Sequence, residues 1–332
     1  MTAVRLDPNG PFKRDPLAPH QLRDRVTRTN ETIILCHLGV PRLEQDRWSL
    51  LIDGMVERSL AFTLDELMRY PRTDIVAVHQ CCGSPLAPFD PTRRVCNVRW
   101  TGTRLADVLA DCRPRTAAKY LWAYGADYGE FAGVVVDAYV KDLPIAPVAE
   151  DVLIAYEMNG SELPAEHGFP ARLVVPGFYG TNSVKWLTRI TVAEHRAPGP
   201  FTTRWYNDPV VDGFGRETGE TTPVWSITPE SLIVAPALHQ TIVLAEAYEI
   251  WGWAWADGGV RKVYVRYDDS AAWHCADLEP MHGREWQRFS ISWTPARRGD
   301  FLLSSLAEAT NGILQPTYAR RNAVYEVPVS VA

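Results

Sequence analysis

Apolar residues recur along this chain mostly in short runs of alternating or continuous spacing, which predicts strands far more often than helices. Between residues 31 and 210 these runs are mixed with a few helical patterns. The runs that predict strands here are IILCHL, WSLLIDG, DIVAVHQ, GVVVDAYV, RLVVPG and VKWLTRITV. Because regular strand–helix–strand alternation is absent, the pattern predicts an α+β domain and not a doubly wound parallel sheet.

Two segments of this part predict helices. In TLDELMRY, Thr63 is the expected N-cap and Glu66 follows three residues later, which is the capping-box pattern. In TRLADVLADC the apolar side chains recur at helical spacing, so they share one face. That face consists of Leu105, Val108, Leu109 and Cys112.

The pattern changes after the polar, Gly-rich stretch NDPVVDGFGRETGE, which predicts a linker. Beyond residue 224 there are only strand-like runs, among them SLIVAPA, RKVYVRYDD and DFLLSSLAEAT, separated by turn signals such as DGG and RRGD. This spacing predicts a β-sandwich of immunoglobulin type. We therefore expect an N-terminal arm (1–30), a first domain (31–210), a linker (211–223) and the β-sandwich (224–332).

Composition supports a folded globular protein with two domains. Of the 332 residues, 46% are hydrophobic and 22% charged, and tryptophan is unusually frequent with 12 copies. The net charge is −6, and the chain contains no long run of lysine and arginine that would follow a phosphate backbone. Nucleic acid is therefore excluded as an expected partner.

The first thirty residues are polar and interrupted by prolines, without the apolar core of a signal peptide. No apolar run approaches the ~20 residues that a membrane span needs. We therefore expect a cytoplasmic protein that does not bind membranes. The six cysteines form no CxxC pair, which indicates reduced thiols and gives no support for zinc.

Two adjacent cysteines, Cys81 and Cys82, follow a strand-like run and precede a proline-rich loop in VHQCCGSPLAPFDPTRR. A thiolate is a soft ligand that suits a transition metal, but an arbitrary cysteine is more often a small buried residue. The two residues alone leave both interpretations open.

Three separated segments together resemble the sulfite oxidase family of molybdopterin enzymes. HQCCGSP, followed by NVRWTGTRLADVL, resembles the family's Q-C-A-G-N-R-R and R-W-x-G-x-x-L-x-D-V-L patterns. The strongest match is DVLIAYEMNGSELPAEHGFPARLVVPGFYGTNSVKWLTRITV, and YEIWGWAWADGGVRKVYVRYDDSAAW resembles strands of the family's C-terminal dimerisation domain. Each motif is weak alone, but their order and spacing are specific and cover nearly all of the chain after residue 30.

The resemblance places Cys81 at the position of the molybdenum ligand and Cys82 at the position of an alanine. It implies a mononuclear molybdenum centre that is held by a pterin dithiolene and Cys81. Coordination to a high-valent metal keeps such a sulfur deprotonated at neutral pH. For Cys82 the structural interpretation is retained, although the residue is close enough to shape the pocket.

The resemblance also implies a set of cofactor-binding residues. His167 and Arg172 match the family's H-G-x-P-x-R and Lys185 its V-K-W-L, positions that hold the pterin and its phosphate. His37 in IILCHLGVP matches the histidine of F-x-R-N-H-x-P-V-P, and its neighbour Cys36 is included with it. Without the resemblance, a surface role for the cations and a structural role for the histidine are the better interpretations.

Tyr206 in GPFTTRWYNDP matches a tyrosine on the substrate side of the metal. Its hydroxyl would donate a hydrogen bond to the oxygen atom being transferred. The alternative is an aromatic residue that packs at a domain junction.

The chain departs from the family at its substrate-binding arginines. Leu35 replaces the arginine of F-x-R-N-H, Leu86 replaces the second arginine of Q-C-A-G-N-R-R, and a third falls at Gly258 or Gly259. The positive cage of the family is therefore expected to be largely absent. The predicted substrate pocket consists of Leu35, Cys82, Leu86 and Tyr206.

The resulting hypothesis is a molybdenum-cofactor oxidoreductase that transfers an oxygen atom, with two electrons, to or from a small and not strongly anionic S-, N- or C-centred substrate. One alternative is a sulfite oxidase or dehydrogenase whose anion site is rebuilt from Arg93, Arg94 or the partner subunit, although surface solvation is the expected role of both arginines. Another is a non-catalytic relic that serves as a binding module. No haem-binding domain is expected in this chain, so a separate electron donor or acceptor is expected. The resemblance of the C-terminal strands to a dimerisation domain implies a homodimer formed beyond residue 224.

Overall fold

The computed structural model describes residues 4–84, 87, 89–146, 151–211, 216–268 and 272–332. Strands dominate, and helices α1 (Leu64–Leu67), α2 (Leu105–Cys112) and α3 (Pro200–Thr203) are short. The α+β prediction therefore overstated the helical content. Within the described residues, no helix is long and apolar enough to cross a membrane.

Contacts between Cα atoms divide the chain into two compact units. The first unit comprises Met1–Arg14, Ile34–Ile75 and Arg99–Trp225, and the second comprises Asp15–Ile33, Val76–Val98 and Ser226–Ala332. This division follows neighbours in space and not continuity along the chain. The contiguous domains expected from the sequence therefore remain a prediction.

The first eighteen strands lie at β1 (Leu6–Asn9), β2 (Phe12–Arg14), β3 (Ile34–Cys36), β4 (Gly39–Pro41), β5 (Leu50–Gly54), β6 (Leu60–Phe62), β7 (Arg72–Gln80), β8 (Val95–Arg104), β9 (Tyr120–Gly125), β10 (Gly129–Phe131), β11 (Val134–Val136), β12 (Val140–Pro144), β13 (Leu153–Met158), β14 (Ser161–Glu162), β15 (Arg172–Val174), β16 (Leu187–Ala193), β17 (Asn207–Val211) and β18 (Glu217–Pro223). All belong to the first unit except the end of β7 and the beginning of β8, which belong to the second.

The first unit contains a five-stranded sheet in the order β12-β9-β16-β5-β6, in which only the β16–β5 pair is parallel. A second sheet has the order β14-β13-β8-β7, and β15 also pairs with β13. Aliphatic side chains from β5, β16 and α2 form one buried cluster with those of β13 and β15. Members without exposed surface include Leu50, Ile52, Leu105, Val108, Ile154 and Ile190.

The second unit adds the strands β19 (Glu230–Ala235), β20 (Thr241–Ile242), β21 (Tyr248–Trp255), β22 (Val260–Arg266), β23 (His274–Cys275), β24 (Asp277–Leu278), β25 (Gln287–Trp293), β26 (Gly299–Ala309) and β27 (Val327–Val331). They form two sheets, β19-β21-β25-β24 and β20-β27-β26-β22-β23, and β19 of one sheet contacts β26 of the other. An all-β unit of this kind agrees with the strand-only pattern of the sequence, while its immunoglobulin type remains a prediction.

Both predicted helices are present. Thr63 Oγ1 accepts a hydrogen bond from Glu66 N at 3.3 Å, and Glu66 Oε2 accepts one from Thr63 N at 2.8 Å, so the capping box is confirmed. Helix α2 buries the four side chains predicted for its inner face.

The segment predicted as a linker is not irregular throughout. β17 and β18 pair as an antiparallel hairpin, and β18 occupies most of residues 211–223. The β-branched pairs Val210–Val211 and Thr221–Thr222 explain the strands, because such residues favour extended backbone.

Candidate functional site

Cys81 lies in the second unit, at the end of β7, where the chain turns. The pKa of its thiol is lowered to about 7. The hydrogen bond that the Cys82 thiol donates to its sulfur is the largest cause, and the Gly83 N–H and the charges of Arg94 and Arg321 also lower the pKa. Burial acts in the opposite direction and raises it. A thiol in such surroundings is readily available as a thiolate ligand.

The segment around Cys81 is anchored at both ends by one buried carboxylate, Glu230. Gln80 Nε2 donates to Glu230 on one side, and Arg93 Nε donates to it on the other, with all three side chains fully buried. Gln80 also accepts a hydrogen bond from Trp255 Nε1 at 3.0 Å. This network fixes Gln80, which directly precedes Cys81, and Arg93, which follows it by twelve residues.

Surface solvation was therefore the wrong expectation for Arg93, whose guanidinium is paired with Glu230 and lies 4.6 Å from the ring of Tyr325. Arg94 is half-buried, and its Nη1 donates to the Gly83 carbonyl at 3.1 Å. The sequence did not point to Arg321, which donates to the Cys82 carbonyl. Two guanidinium groups thus hold the Cys81–Gly83 turn, so positive charge near Cys81 is less depleted than the sequence indicated.

In the first unit, the hydroxyl of Tyr206 lies 2.5 Å from Nε2 of His37. Burial, and secondarily the charge of Lys185, lowers the pKa of His37 to about 4, so its ring is neutral near pH 7. A neutral imidazole presents one nitrogen as an acceptor, which the Tyr206 hydroxyl suits as a donor. The structure brings together these two predicted site residues.

An aromatic group surrounds this pair. The ring of His37 lies 4.4 Å from that of Phe131 and 6.2 Å from that of Phe201, and Phe201 lies 4.4 Å from Tyr139. The ammonium of Lys141, a fully buried residue of β12, lies 5.4 Å from the ring centre of Tyr206. Neither the rings nor Lys141 were identified from the sequence, because their clustering depends on how β10, β12 and α3 meet.

Lys185 and Cys36 form a second contact between predicted residues. Lys185 Nζ donates to Cys36 Sγ at 2.9 Å, to the Glu166 carbonyl at 3.1 Å and to the Leu35 carbonyl at 3.2 Å. An ammonium has three N–H donors, so these three acceptors match its capacity. Lys185 is thereby fixed between the end of β3 and the turn at residues 165–167.

His167 and Arg172 form the third contact. Arg172 Nη1 donates to the His167 carbonyl at 2.9 Å and Nη2 to the Ser183 carbonyl at 3.1 Å, while the guanidinium lies 4.7 Å from the ring of Trp100. Burial and the nearby cations, of which Arg172 acts most strongly, lower the pKa of His167 to about 2. Gly168 makes this turn compact: its φ is +112°, and a Cβ there would lie 3.1 Å from the Cβ atoms of Arg172 and Lys185.

Asp127 provides an independent test of whether a pterin fits beside these residues. Its carboxylate is buried and Oδ1 has no hydrogen-bond partner among the described residues, while burial raises its pKa to about 7. A Cβ at Gly125 would lie 2.4 Å from this oxygen, so a larger residue there would displace the Asp127 carboxylate. Because the amino-pyrimidine edge of a pterin donates hydrogen bonds, an unpaired buried acceptor near the cation Lys185 suits such a group.

The remaining predicted positions are less informative. Leu86 lies outside the described residues, and Leu35 exposes 38% of its surface while its carbonyl binds Lys185. Gly258 and Gly259 form the turn between β21 and β22 with φ of +79° and +88°, which favours glycine. Within the described residues, no cluster of three or more His, Cys, Asp or Glu is placed to hold a metal ion by itself.

Comparison with known proteins identifies two domains. Residues 37–201 match the oxidoreductase molybdopterin binding domain, and residues 221–296 match the Mo-co oxidoreductase dimerisation domain. The first match contains each cofactor-binding residue predicted from the sequence except Cys36, which directly precedes it.

Among curated proteins, the chain is 32% identical to mitochondrial sulfite oxidase of Homo sapiens, covering 93% of this chain and 60% of that protein. It is 27% identical to the NADH nitrate reductase of Ulva prolifera, covering 81% of this chain and 34% of that protein. Among solved structures, the sulfane dehydrogenase SoxCD of Paracoccus pantotrophus matches with a TM-score of 0.77 and 27% identity, covering 92% of this chain and 81% of that one. The chain thus spans less than two thirds of the length of each of these two curated relatives.

Proposed function

Because the chain belongs to the sulfite oxidase family of molybdopterin oxidoreductases, we propose that it is a molybdenum enzyme that transfers oxygen atoms to or from a small, not strongly anionic substrate. When bound, the molybdenum–pterin group supplies the two-electron redox chemistry. Cys81 would hold the metal. His37, Cys36, His167, Arg172 and Lys185, together with Asp127, would hold the pterin and its phosphate.

The observation that carries the substrate proposal is the environment of the Tyr206 hydroxyl. It is bound to an uncharged His37 and surrounded by aromatic rings, with one cation, Lys141, beside the ring. A dianion that loses water in such surroundings gains few charge-assisted hydrogen bonds, each worth about 1.5–3 kcal/mol. An organic sulfoxide, an N-oxide, an N-hydroxylated compound or a carbonyl compound suits this environment better.

In this proposal the Tyr206 hydroxyl orients the substrate oxygen, and His37 holds the hydroxyl in place. A neutral His37 accepts a hydrogen bond from the Tyr206 hydroxyl while no substrate is bound. When a substrate binds, His37 in its other neutral tautomer would donate from Nε2 to the Tyr206 oxygen, so that the hydroxyl proton is free for the substrate oxygen while His37 still holds the tyrosine.

Sulfite oxidation is the second candidate, and Arg94 and Arg321 favour it. Both guanidinium groups hold the turn that contains Cys81. They would therefore supply two of the three positive charges of the family's arginine cage. The relatives named as sulfite oxidases agree with this candidate. In either case the electrons pass to a separate donor or acceptor.

Rapid-mixing absorbance spectroscopy of the molybdenum-loaded protein separates the two candidates. The oxidised enzyme is mixed with sulfite, and the dithionite-reduced enzyme is mixed with dimethyl sulfoxide or trimethylamine N-oxide, both of which are uncharged overall. We expect slow reduction by sulfite and faster reoxidation by an uncharged oxygen donor. Fast reduction by micromolar sulfite would instead support sulfite oxidation.

We further propose a homodimer formed through the dimerisation domain, located in the cytoplasm. Trp253, Trp255, Trp286 and Trp293 are buried within the second unit, whereas Trp273 exposes 37% of its surface. Of these, Trp273 is therefore the ring best placed to meet a partner. A chain that sediments as a monomer at micromolar concentration would exclude this arrangement.

A further inference from the structure

The contact between Lys185 and Cys36 joins two nucleophilic side chains. Nζ lies 2.9 Å from Sγ, which is a typical separation for N–H···O and short for sulfur, the larger atom. Cys36 exposes 2% of its surface, so its thiol is held within the packed end of β3. The two side chains come from strand β3 and from the segment before β16, 149 residues apart.

Both groups are immobilised in this contact. The other two donors of Lys185 bind the carbonyls of Leu35 and Glu166, and the carbonyl of Glu166 also lies 3.9 Å from the sulfur. The ammonium therefore cannot swing away without losing three contacts at once. Holding two reacting atoms in contact raises their effective concentration far above that of free groups.

We propose that Cys36 and Lys185 form a redox-sensitive covalent site, in which dioxygen links Sγ to Nζ through one bridging oxygen atom. Two single bonds to a bridging oxygen span a separation close to the observed contact, whereas a direct S–N bond requires a much closer approach. The link therefore forms with little movement of either backbone.

The reaction balances with dioxygen as the only oxidant. The S–H bond and two N–H bonds of the ammonium break, and S–O and O–N bonds form. Sulfur and nitrogen each lose two electrons, and dioxygen accepts all four. Its second oxygen atom leaves as water, and one proton is released. A dithiol reductant opens the link by attack on sulfur: the S–O bond breaks, Cys36 returns to a thiol as the reductant becomes a disulfide, and Lys185 is released as an N-hydroxyl amine.

The link would remove a positive charge from the first unit. Lys185 acts electrostatically on His37, Asp127 and His167, and the linked nitrogen is an uncharged hydroxylamine. If the proposed function holds and the charge of Lys185 attracts the cofactor phosphate, oxidised protein should retain less molybdopterin than reduced protein. The covalent site itself does not depend on that function.

Peptide mass spectrometry of the full-length protein, alkylated under denaturing conditions, tests the link directly. Air-exposed protein is compared with protein kept anaerobic with dithiothreitol. After trypsin digestion, the link should join peptide 29–42 to peptide 173–189, because a modified Lys185 is not cleaved. The joined mass should exceed the sum of the two peptides by one oxygen minus two hydrogens, and dithiothreitol should abolish it.

Two variants and one internal control complete the test. Lys185→Arg keeps the charge but should yield no joined peptide, and Cys36→Ser should behave likewise. Cys112 is equally buried, and burial raises its pKa to about 11, so it should stay fully alkylated in every sample. Free, alkylatable Cys36 after prolonged exposure to air would overturn the proposal. So would a joined peptide without the extra oxygen, or a sulfinic acid on Cys36 alone. All these readouts are independent of enzymatic activity.

Discussion

The Tyr206 hydroxyl lies 2.5 Å from His37 Nε2, although 169 residues separate them along the chain. Tyr206 reaches this position with a backbone φ of +58°, a conformation that costs a residue with a side chain roughly 1 kcal/mol or more. Its carbonyl accepts a hydrogen bond from Val224 N at 2.9 Å, which helps to hold it there. The surroundings therefore stabilise an unfavourable backbone that directs the hydroxyl toward the histidine.

Replacing His37 should impair turnover by releasing the Tyr206 hydroxyl. His37→Phe keeps an aromatic ring but removes the hydrogen-bond partner of Tyr206, and should lower kcat about tenfold, the equivalent of one hydrogen bond of roughly 1–1.5 kcal/mol. His37→Gln keeps an acceptor and should lose less. Steady-state kinetics with the oxygen donor or sulfite that the enzyme accepts will measure both.

The control is Tyr206→Phe combined with His37→Phe. If the histidine acts through the tyrosine, the double variant should be no slower than Tyr206→Phe alone. Additive losses in the two variants would contradict this relationship.

Asp127→Asn should stabilise the cofactor-free protein at pH 8 and not at pH 4. Burial raises the pKa of Asp127 from 3.8 to about 7 in the folded state. The folded state therefore binds more protons than the unfolded state between these values, and its stability falls as pH rises through that window. Above pH 7 a buried charge is removed by the substitution, which should raise the free energy of unfolding by about 1–3 kcal/mol.

The same variant should bind less pterin, because it lacks a carboxylate for the amino-pyrimidine edge. Urea unfolding at the two pH values and fluorescence of extracted pterin measure the two effects. Equal pterin content in Asp127→Asn and the unmodified protein would remove Asp127 from the cofactor site.

Arg93→Met should be among the most destabilising single changes in the second unit. It leaves Glu230 buried without its ionic partner, which typically costs about 3–5 kcal/mol. Restoring a neutral pair with Arg93→Met and Glu230→Gln together should recover part of the loss. Urea unfolding monitored by tryptophan fluorescence gives both values, and a loss below 1 kcal/mol for Arg93→Met would contradict a structural role.

Leu35→Arg should increase affinity for sulfite if the pocket keeps the family's backbone. One added charge-assisted hydrogen bond of about 1.5–3 kcal/mol corresponds to roughly ten- to hundredfold tighter binding. Leu51→Arg is a matched control, because Leu51 is similarly exposed, at 36% against 38%, and lies in β5. Unchanged affinity in Leu35→Arg, or an equal gain in Leu51→Arg, would exclude Leu35 from the pocket.

The sequence predicted those parts of the fold that depend on local pattern. The capping box of α1, the inner face of α2 and the all-strand second unit follow from residue periodicity and were present. The hairpin of β17 and β18 was missed, because glycine and polar residues outweighed two short β-branched pairs in the pattern.

The candidate site was predicted by residue but not by contact. All six residues of the three contacts were identified from motifs. That Tyr206 pairs with His37, Cys36 with Lys185 and His167 with Arg172 depends on which segments lie side by side in the fold. Buried polar groups such as Asp127 and Lys141 carry no signal of burial in a single sequence. The burial of Arg93 likewise depends on its ion pair with Glu230, which lies 137 residues away along the chain.

The most direct test of the account is the number of sulfur atoms bound to molybdenum, measured by X-ray absorption at the molybdenum K-edge. The comparison uses the loaded protein and its Cys81→Ser and Cys82→Ser variants, since a serine oxygen cannot replace the soft thiolate. We predict one sulfur ligand fewer in Cys81→Ser, with the pterin retained and turnover lost, and an unchanged shell in Cys82→Ser. An unchanged sulfur shell in Cys81→Ser, or its loss in Cys82→Ser, would contradict the assignment of Cys81 as the metal ligand.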